Sequence, residues 1–251
     1  MFIFERFFFM KVISLVPSIT ETLLDLGLTS DEIIGRTKFC IHPKELVKDV
    51  EIIGGTKNLN LEKIKSLKPD LIIANKEENV KEQVEELMND FKVLVTNVET
   101  LEDNYYLIKQ LGHLFGKEDK AQFFNLKSYE AFDIPKPENK LKVAYLIWKD
   151  PYMTVGGDTF ISKILEELGF ENQFKSQKRY PEVKLEDLRE ANLIFLSSEP
   201  FPFKEKHIAD IQNICVDQKI MIVDGEAFSW YGSHLAKCGE YYRELVGKLK
   251  V

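Results

Sequence analysis

Cysteine and histidine are both scarce in this chain, which holds three of the first and four of the second in 251 residues. Cys40, Cys215 and Cys238 stand far apart, with no CxxC and no ligand-like spacing to a histidine. Neither a disulfide framework nor a cysteine–histidine metal site is written there, and an odd, sparse set of thiols suits a reducing compartment. A G-x-S-x-G elbow, a P-loop, a G-x-G-x-x-G after the first strand and an H-E-x-x-H pair are also missing, and with them the motif-borne routes to catalysis. No stretch reaches the roughly 18 uncharged apolar residues of a transmembrane helix, so no membrane insertion is expected. Positive charge is in deficit: 34 Lys and Arg face 41 Asp and Glu, for a net charge of −7. The two signs are interspersed, which leaves no basic face for a phosphate backbone and excludes nucleic acid as a partner.

Residues 1–9 (MFIFERFFF) are apolar but interrupted by Glu5 and Arg6. A secretory leader places basic residues first, then an unbroken apolar run and a small-residue cleavage site. Residues 11–16 already read as a strand and leave no room for one. The expectation is a cytoplasmic protein, with Met10 as an alternative start and a periplasmic location if the start is misassigned.

What is present is a well-stocked core: 44% hydrophobic and 30% charged residues. The length permits one large domain or two lobes of about 100–125 residues each. Residues 11–16 (KVISLV) have a buried-strand pattern ended by Pro17, and Ser18 with Glu21 reads as a capping box for a helix to about Gly27. Further strands are expected at 33–34, 52–55, 70–74 and 92–96. Asn60 caps a helix over 61–67, and Asn79 with Glu82 opens another through Met88. From 101 to 131, Leu101, Tyr105, Ile108, Leu111 and Phe115, then Phe123, Phe124 and Tyr129, follow helical spacing. At about 1.5 Å per residue one such helix spans roughly 45 Å, the width of two lobes, unless Gly112 and Gly116 bend it or break it in two.

The second half replays the first. Leu61-Glu62-x-Ile64 before Pro69-Asp70-Leu71-Ile72-Ile73 parallels Leu185-Glu186-x-Leu188 before Ala191-Asn192-Leu193-Ile194-Phe195. Thr20 and Leu26-Gly27-Leu28 parallel Thr159 and Leu168-Gly169-Phe170. Strands are expected at 141–147, 193–197 and 219–223, and helices at 160–168, 185–189, 204–211 and 233–249. Alternating strands and helices imply parallel sheets covered on both faces. The expected architecture is therefore α/β: two small doubly wound lobes bridged by one long helix, with a ligand cleft between them. The divisions fall at 1–100, 101–132 and 133–251.

In open α/β sheets ligands sit beyond the carboxyl ends of the strands. Pro17, Ser18 and Thr20 follow the first strand, Asn75 to Glu78 the strand at 70–74, and Trp148 to Tyr152 the strand at 141–147. Ser198, Glu199, Phe201 and Phe203 follow 193–197; Asp224, Glu226, Phe228, Trp230 and Tyr231, with His234 nearby, follow 219–223. This inventory is rich in aromatics and poor in nucleophile–base pairs, which suits binding of a large flat ligand rather than catalysis. The alternative is that the aromatics plug the sheet ends as core. Of the histidines, His42 and His234 lie nearest the expected cleft and His113 and His207 on helices away from it. His234 could coordinate the metal of a bound chelate, with Glu226 orienting it. Gly54-Gly55 and Gly156-Gly157 read as turns or close backbone approaches, Glu77-Glu78 as first-turn acids, and Cys40 as a buried small hydrophobe.

The run Val12-Ile13-Ser14-Leu15-Val16-Pro17-Ser18-Ile19-Thr20-Glu21, then Gly35-Arg36-Thr37, Cys40, Pro43, Ile53-Gly54-Gly55 and Leu67-Lys68-Pro69-Asp70-Leu71-Ile72, resembles the helical-backbone metal-chelate receptors. These are the substrate-binding (class III periplasmic) proteins of cobalamin, haem and ferric-siderophore ABC importers. Asn79, Gln83-Val84, Gly156-Gly157 and Glu171-Asn172-x-Phe174 are most similar to the cobalamin branch. The resemblance implies two α/β lobes on a helical backbone and a non-enzymatic role. It implies no intrinsic cofactor or protein-held metal, and a ligand that is cobalamin or another corrinoid. Alternatives are a ferric siderophore or haem, or an enzyme processing such a chelate. An ABC permease enters as partner if the chain is exported. Asn75 stands where the cobalamin receptors carry a tryptophan, Trp148 and Tyr152 where they carry aromatics, and Trp230 where they carry an arginine. The permease-docking glutamates correspond to Lys81, with Glu82 beside it, and to a position near Glu199 and Glu205. The expected ligand-binding set is Ser18, Asn75, Trp148, Tyr152, Phe228, Trp230, Glu226 and His234.

Overall fold

A computed structural model describes residues 10–249. The stretch 1–9, on which the reading of a leader rests, lies outside the described residues. In chain order the elements begin β1 (Val12–Ser14), α1 (Pro17–Asp25), β2 (Ile33–Arg36), α2 (Lys44–Val47), β3 (Gly54–Gly55), β4 (Asn58–Leu59), α3 (Leu61–Leu67), β5 (Leu71–Asn75), α4 (Lys81–Met88) and β6 (Val93–Thr96). Two helices follow, α5 (Leu101–Leu114) and α6 (Glu118–Glu130). Then come β7 (Lys142–Trp148), β8 (Met153–Thr154), α7 (Phe160–Glu167), β9 (Glu171–Asn172), a 3₁₀ turn (Leu185–Glu190) and β10 (Leu193–Ser197). The chain closes with α8 (Glu205–Gln212), β11 (Lys219–Val223), α9 (Gly225–Ser229), a 3₁₀ turn (Gly232–Lys237) and α10 (Gly239–Gly247).

The chain forms two compact units, one of Met1–Asn97 with Tyr106–Phe123, the other of Val98–Tyr105 with Phe124–Val251. The first holds a parallel sheet in the order β2-β1-β5-β6. The second runs β11-β10-β7 in parallel, with β9 parallel and β8 antiparallel on the other side of β7. The orders β2-β1-β5-β6 and β9-β7-β10-β11 correspond strand for strand, so the repeat read in the sequence is a repeat of topology.

The central strands of each sheet are buried because they are rich in branched aliphatics: β1 and β5 are buried throughout, as are Val143–Ile147 of β7 and all of β10. Fully burying each Ile or Leu contributes about 1.5–3 kcal/mol against the entropy of ordering the chain. In the first unit Ile13, Ile19, Leu23, Ile33 and Ile64 are sealed. In the second, Tyr145, Phe195, Phe228 and Tyr242 form the large-residue centre.

Helices carry the chain between the units, but in two pieces rather than one. Gly116 takes a positive φ of 63° between α5 and α6. A Cβ on Gly112 would strike the Cβ of Ala121, so the two helices close on each other where a side chain would hold them apart. Several caps also differ from expectation. Pro17 sits at the first helical position and Val16 is the N-cap of α1, so Ser18 lies inside the helix and makes no capping box. Asn79 does not cap α4, whose N-cap is Val80; its side chain instead accepts from the Asn75 N–H and donates to the carbonyls of Leu15 and Thr56. Glu77 and Glu78 lie in the turn before α4, their N–H groups donating to Asn75 Oδ1. The last expected helix is divided at Cys238 into a 3₁₀ turn and α10. Asn60 and Thr159 do cap α3 and α7 through their side chains.

Candidate functional site

The carboxyl end of β7 delivers Trp148, which is 40% exposed. The chain then turns through Asp150, at positive φ, and a cis Pro151 into β8, which returns antiparallel beside β7. Tyr152 on that turn is half-buried against the core of the second unit. Phe201, just beyond β10, meets Trp148 edge-on with centroids 5.8 Å apart and Phe203 at 4.8 Å. His207 closes the inner side, 5.4 Å from Phe201 and 5.5 Å from Phe203. Its Nδ1 accepts from the Lys204 N–H at 2.8 Å. Burial, with Lys149 and Lys206 nearby, pushes the imidazole below its ordinary pKa. The sequence set His207 apart on a helix; it belongs to this aromatic layer. Phe203 and His207 plug the sheet end as core, while Trp148 keeps an open face.

The ends of β10 and β11 build a second group. Asp224 caps α9 by accepting from the Glu226 N–H. Gly225 lies flush on β10, where a Cβ would collide with Glu199 Cγ and Ser197 Oγ, and its N–H donates to Ser198 Oγ. That fit is what α9 needs to fold back over the sheet. It carries Ser229 and Trp230 onto Glu199: Ser229 Oγ donates to Oε1 at 2.7 Å and Trp230 Nε1 at 3.1 Å. Burial pushes the Glu199 carboxyl above its ordinary pKa; the Ser229 and Trp230 bonds oppose this, and the charges of Glu226 and Asp224 add to it. Trp230 is 7% exposed, and its ring lies 5.3 Å from that of His234. Asn104, buried on α5 within the same unit, accepts from the Gly232 N–H and pins the loop that carries both rings.

Of the expected binding residues, the structure gathers Glu226, Trp230 and His234 around α9 and places Trp148 with Tyr152 at the end of β7. Phe228 belongs to the core rather than to a wall: it is fully buried among Tyr145, Phe195 and Tyr242. Ser18 and Asn75 lie in the first unit, both buried. The Asn75 amide is spent locally, donating to Thr96 O and Oγ1 and accepting from the N–H groups of Glu77 and Glu78. Two residues that the sequence reading left out of the binding set stand out. One is Glu199, named only as a strand-end residue and a docking candidate. The other is Phe39, half exposed after β2, resting over Gly55 with the Lys38 ammonium 5.0 Å from its ring.

The Gly35-Arg36-Thr37 and Cys40 motif is structural. Arg36 is buried and donates to the carbonyls of Val47, Thr37 and Cys40, stapling the loop after β2. Cys40 is buried beside the hydroxyls of Thr20 and Thr37, and burial pushes its thiol up. Gly156 and Gly157 mark a close backbone approach, since a Cβ on either would strike the carbonyls of Gln177 and Lys175.

Residues 12–201 match the family described as periplasmic binding protein. The chain belongs to that family. It is 32% identical over 197 residues to the vitamin B12-binding protein of Vibrio vulnificus (strain CMCP6), covering 74% of this chain and 71% of that one. It is 34% identical over 181 residues to YvrC of Bacillus subtilis (strain 168), an uncharacterized ABC transporter substrate-binding lipoprotein, covering 66% and 56% of the two chains. The fold is that of a periplasmic heme-binding protein from Pseudomonas aeruginosa, with a TM-score of 0.80 at 16% identity over 96% of this chain and 94% of that one. Two parallel-sheet units joined by α5 and α6 make this periplasmic binding protein a helical-backbone member of the family, one of solute-binding proteins and not of enzymes.

The expected cytoplasmic location is corrected by the family, that of periplasmic binding proteins, and by relatives that include a lipoprotein and a periplasmic protein. That expectation rested on residues 1–9, and the core patterning of the folded units is the same on either side of a membrane. The three cysteines do not contradict export, because all are buried and unpaired. Among the described residues no helix is long and apolar enough to cross a membrane, and no group of three or more His, Cys, Asp or Glu could hold a metal ion. Of the docking candidates, Glu82 and Glu205 are exposed in the first turns of α4 and α8, whereas Glu199 is turned inward onto Ser229 and Trp230.

Proposed function

We propose that this periplasmic binding protein captures a metal chelate, a corrinoid in the first instance, and delivers it to an ABC permease. What supports this is an open aromatic face at Trp148, at the carboxyl end of β7, and a second indole, Trp230, held 7% exposed beside His234 beyond α9, which follows β11 of the same sheet. Aromatic faces supply area and shape at little entropic cost, each good stack adding about 0.5–1.5 kcal/mol beyond burial. Tyr152 and Glu226 are the polar groups of these strand ends, and Phe39 is an aromatic face on the first unit.

Charge favours a corrinoid over an anionic chelate. Glu226 and Asp224 lie near Glu199, the acceptor of the Trp230 indole N–H, and like charges there penalise a ligand rich in carboxylates. Haem or a ferric siderophore is the second reading, and His234 favours it, since an imidazole beside an indole wall can meet a chelate's metal. Visible-absorption and tryptophan-fluorescence titrations with cyanocobalamin, hemin and a ferric hydroxamate test both. Saturable one-to-one binding of cyanocobalamin supports the first reading, and hemin or hydroxamate alone the second. Binding of none refutes the proposal.

A further inference from the structure

We propose that Glu199 is a positioning residue, one of whose carboxylate oxygens fixes which edge of the Trp230 indole points inward. Oε1 accepts from Ser229 Oγ and Trp230 Nε1 together, so the last residue of α9 and its C-cap are tied to one atom just beyond β10. An indole has one donor and no acceptor, and that donor sets which edge of the ring points inward. Gly225 lets the chain of Glu199 and the first turn of α9 touch, and Asn104 holds the far side of the loop beyond α9 at Gly232. Glu199 itself is held at its backbone, where Ser197 Oγ donates to its carbonyl at 2.5 Å while accepting from Tyr145 OH at 3.1 Å. The indole thus connects through one carboxylate to the centre of the second unit. A wall fixed in this way binds a rigid ligand without the cost of ordering a mobile side chain.

The acceptor, not the charge, does the positioning. A glutamine oxygen accepts the same two bonds, an aspartate falls one methylene short, and a leucine offers neither. The consequence for a ligand rests on Trp230 being a ligand wall, as proposed above; the orientation of the indole does not. The chain has two tryptophans, so in a Trp148→Phe background all indole emission comes from Trp230. In that background Glu199→Gln should keep the emission maximum and acrylamide quenching of the parent. Glu199→Asp and Glu199→Leu should shift the emission to the red and raise the quenching constant about twofold or more, with circular dichroism unchanged. Should Glu199→Leu fail to fold, Glu199→Asp decides alone. Identical quenching in all variants, or a glutamine variant that behaves like aspartate, overturns the proposal. Cyanocobalamin affinity is read separately, on the chain and its Glu199 variants with Trp148 in place. A parent that does not bind it refutes the ligand reading and leaves the fluorescence result to decide the role of Glu199.

Discussion

Lys142 and Asn192 are joined by a reciprocal pair of bonds: the Lys142 N–H donates to Asn192 Oδ1 and the Asn192 N–H to the Lys142 carbonyl, each at 2.8 Å. In the first unit Lys11 and Asp70 make the same pair at the same distances. Each latches the start of its unit's first strand to the residue before its central neighbour. Asp70→Ala and Asn192→Ala should each lower stability by about 0.5–1 kcal/mol in urea unfolding, while Asn192→Asp and Asp70→Asn, which keep an acceptor, should lie near the parent. An alanine variant as stable as the parent refutes the latch.

Arg36 gives a larger effect. Three backbone carbonyls accept from its guanidinium; those of Thr37 and Val47 also accept from the N–H groups of Cys40 and Val50, while that of Cys40 loses its charged donor, and bonds to a charged donor are worth about 1.5–3 kcal/mol. Arg36→Ala should destabilise by about 2–4 kcal/mol, and Arg36→Lys should recover little, because an ammonium cannot span three acceptors with a fork's geometry. Equal stability of the lysine variant and the parent would refute the staple.

Phe228 and Trp230, two residues apart and both buried, should each cost stability when truncated but differ in what binding loses. Phe228→Ala opens a cavity among Tyr145, Phe195 and Tyr242 and should cost about 3–5 kcal/mol. Trp230→Ala should weaken chelate binding by more than about tenfold. Thermal melts and ligand titrations on the two variants check this, and the reverse pattern in binding would move the wall to Phe228.

Glu199 sets a pH dependence of known sign. Its carboxyl holds a proton more tightly folded than unfolded, chiefly through burial. Stability is therefore full below the ordinary carboxyl pKa and declines as pH rises from there through the raised folded value. Glu199→Gln keeps both bonds and removes the charge, so it should match the parent at low pH and exceed it above that window. A parent–variant difference constant from acid to neutral pH contradicts this.

The architecture was legible because its strands are unbroken aliphatic runs and its repeat preserves Asp70 and Asn192 at equivalent places. The two-residue strands β8 and β9 carry too short a pattern to read. The break at Gly116 was a matter of one φ angle, which helical spacing on either side does not decide. In the site, strand ends were legible but orientation was not. Phe228 and Trp230 read alike in sequence, and α9, folding back over the sheet at Gly225, buries the first completely and leaves the second 7% exposed beside His234. Asn75 ends a strand as a ligand residue does, but its amide is taken up by Thr96 and the turn at 77–78. The clasp between Glu199 and Trp230 joins residues 31 apart, and no local spacing announces it.

The most direct test of the account uses the two tryptophans as separate reporters. Trp148→Phe leaves Trp230 as the fluorophore, and Trp230→Phe leaves Trp148. Titrated with cyanocobalamin, both proteins should show saturable quenching with the same midpoint as their absorbance change, because one ligand covers both rings. Quenching of neither, in proteins that fold and melt like the parent, would contradict the placement of the site at these strand ends.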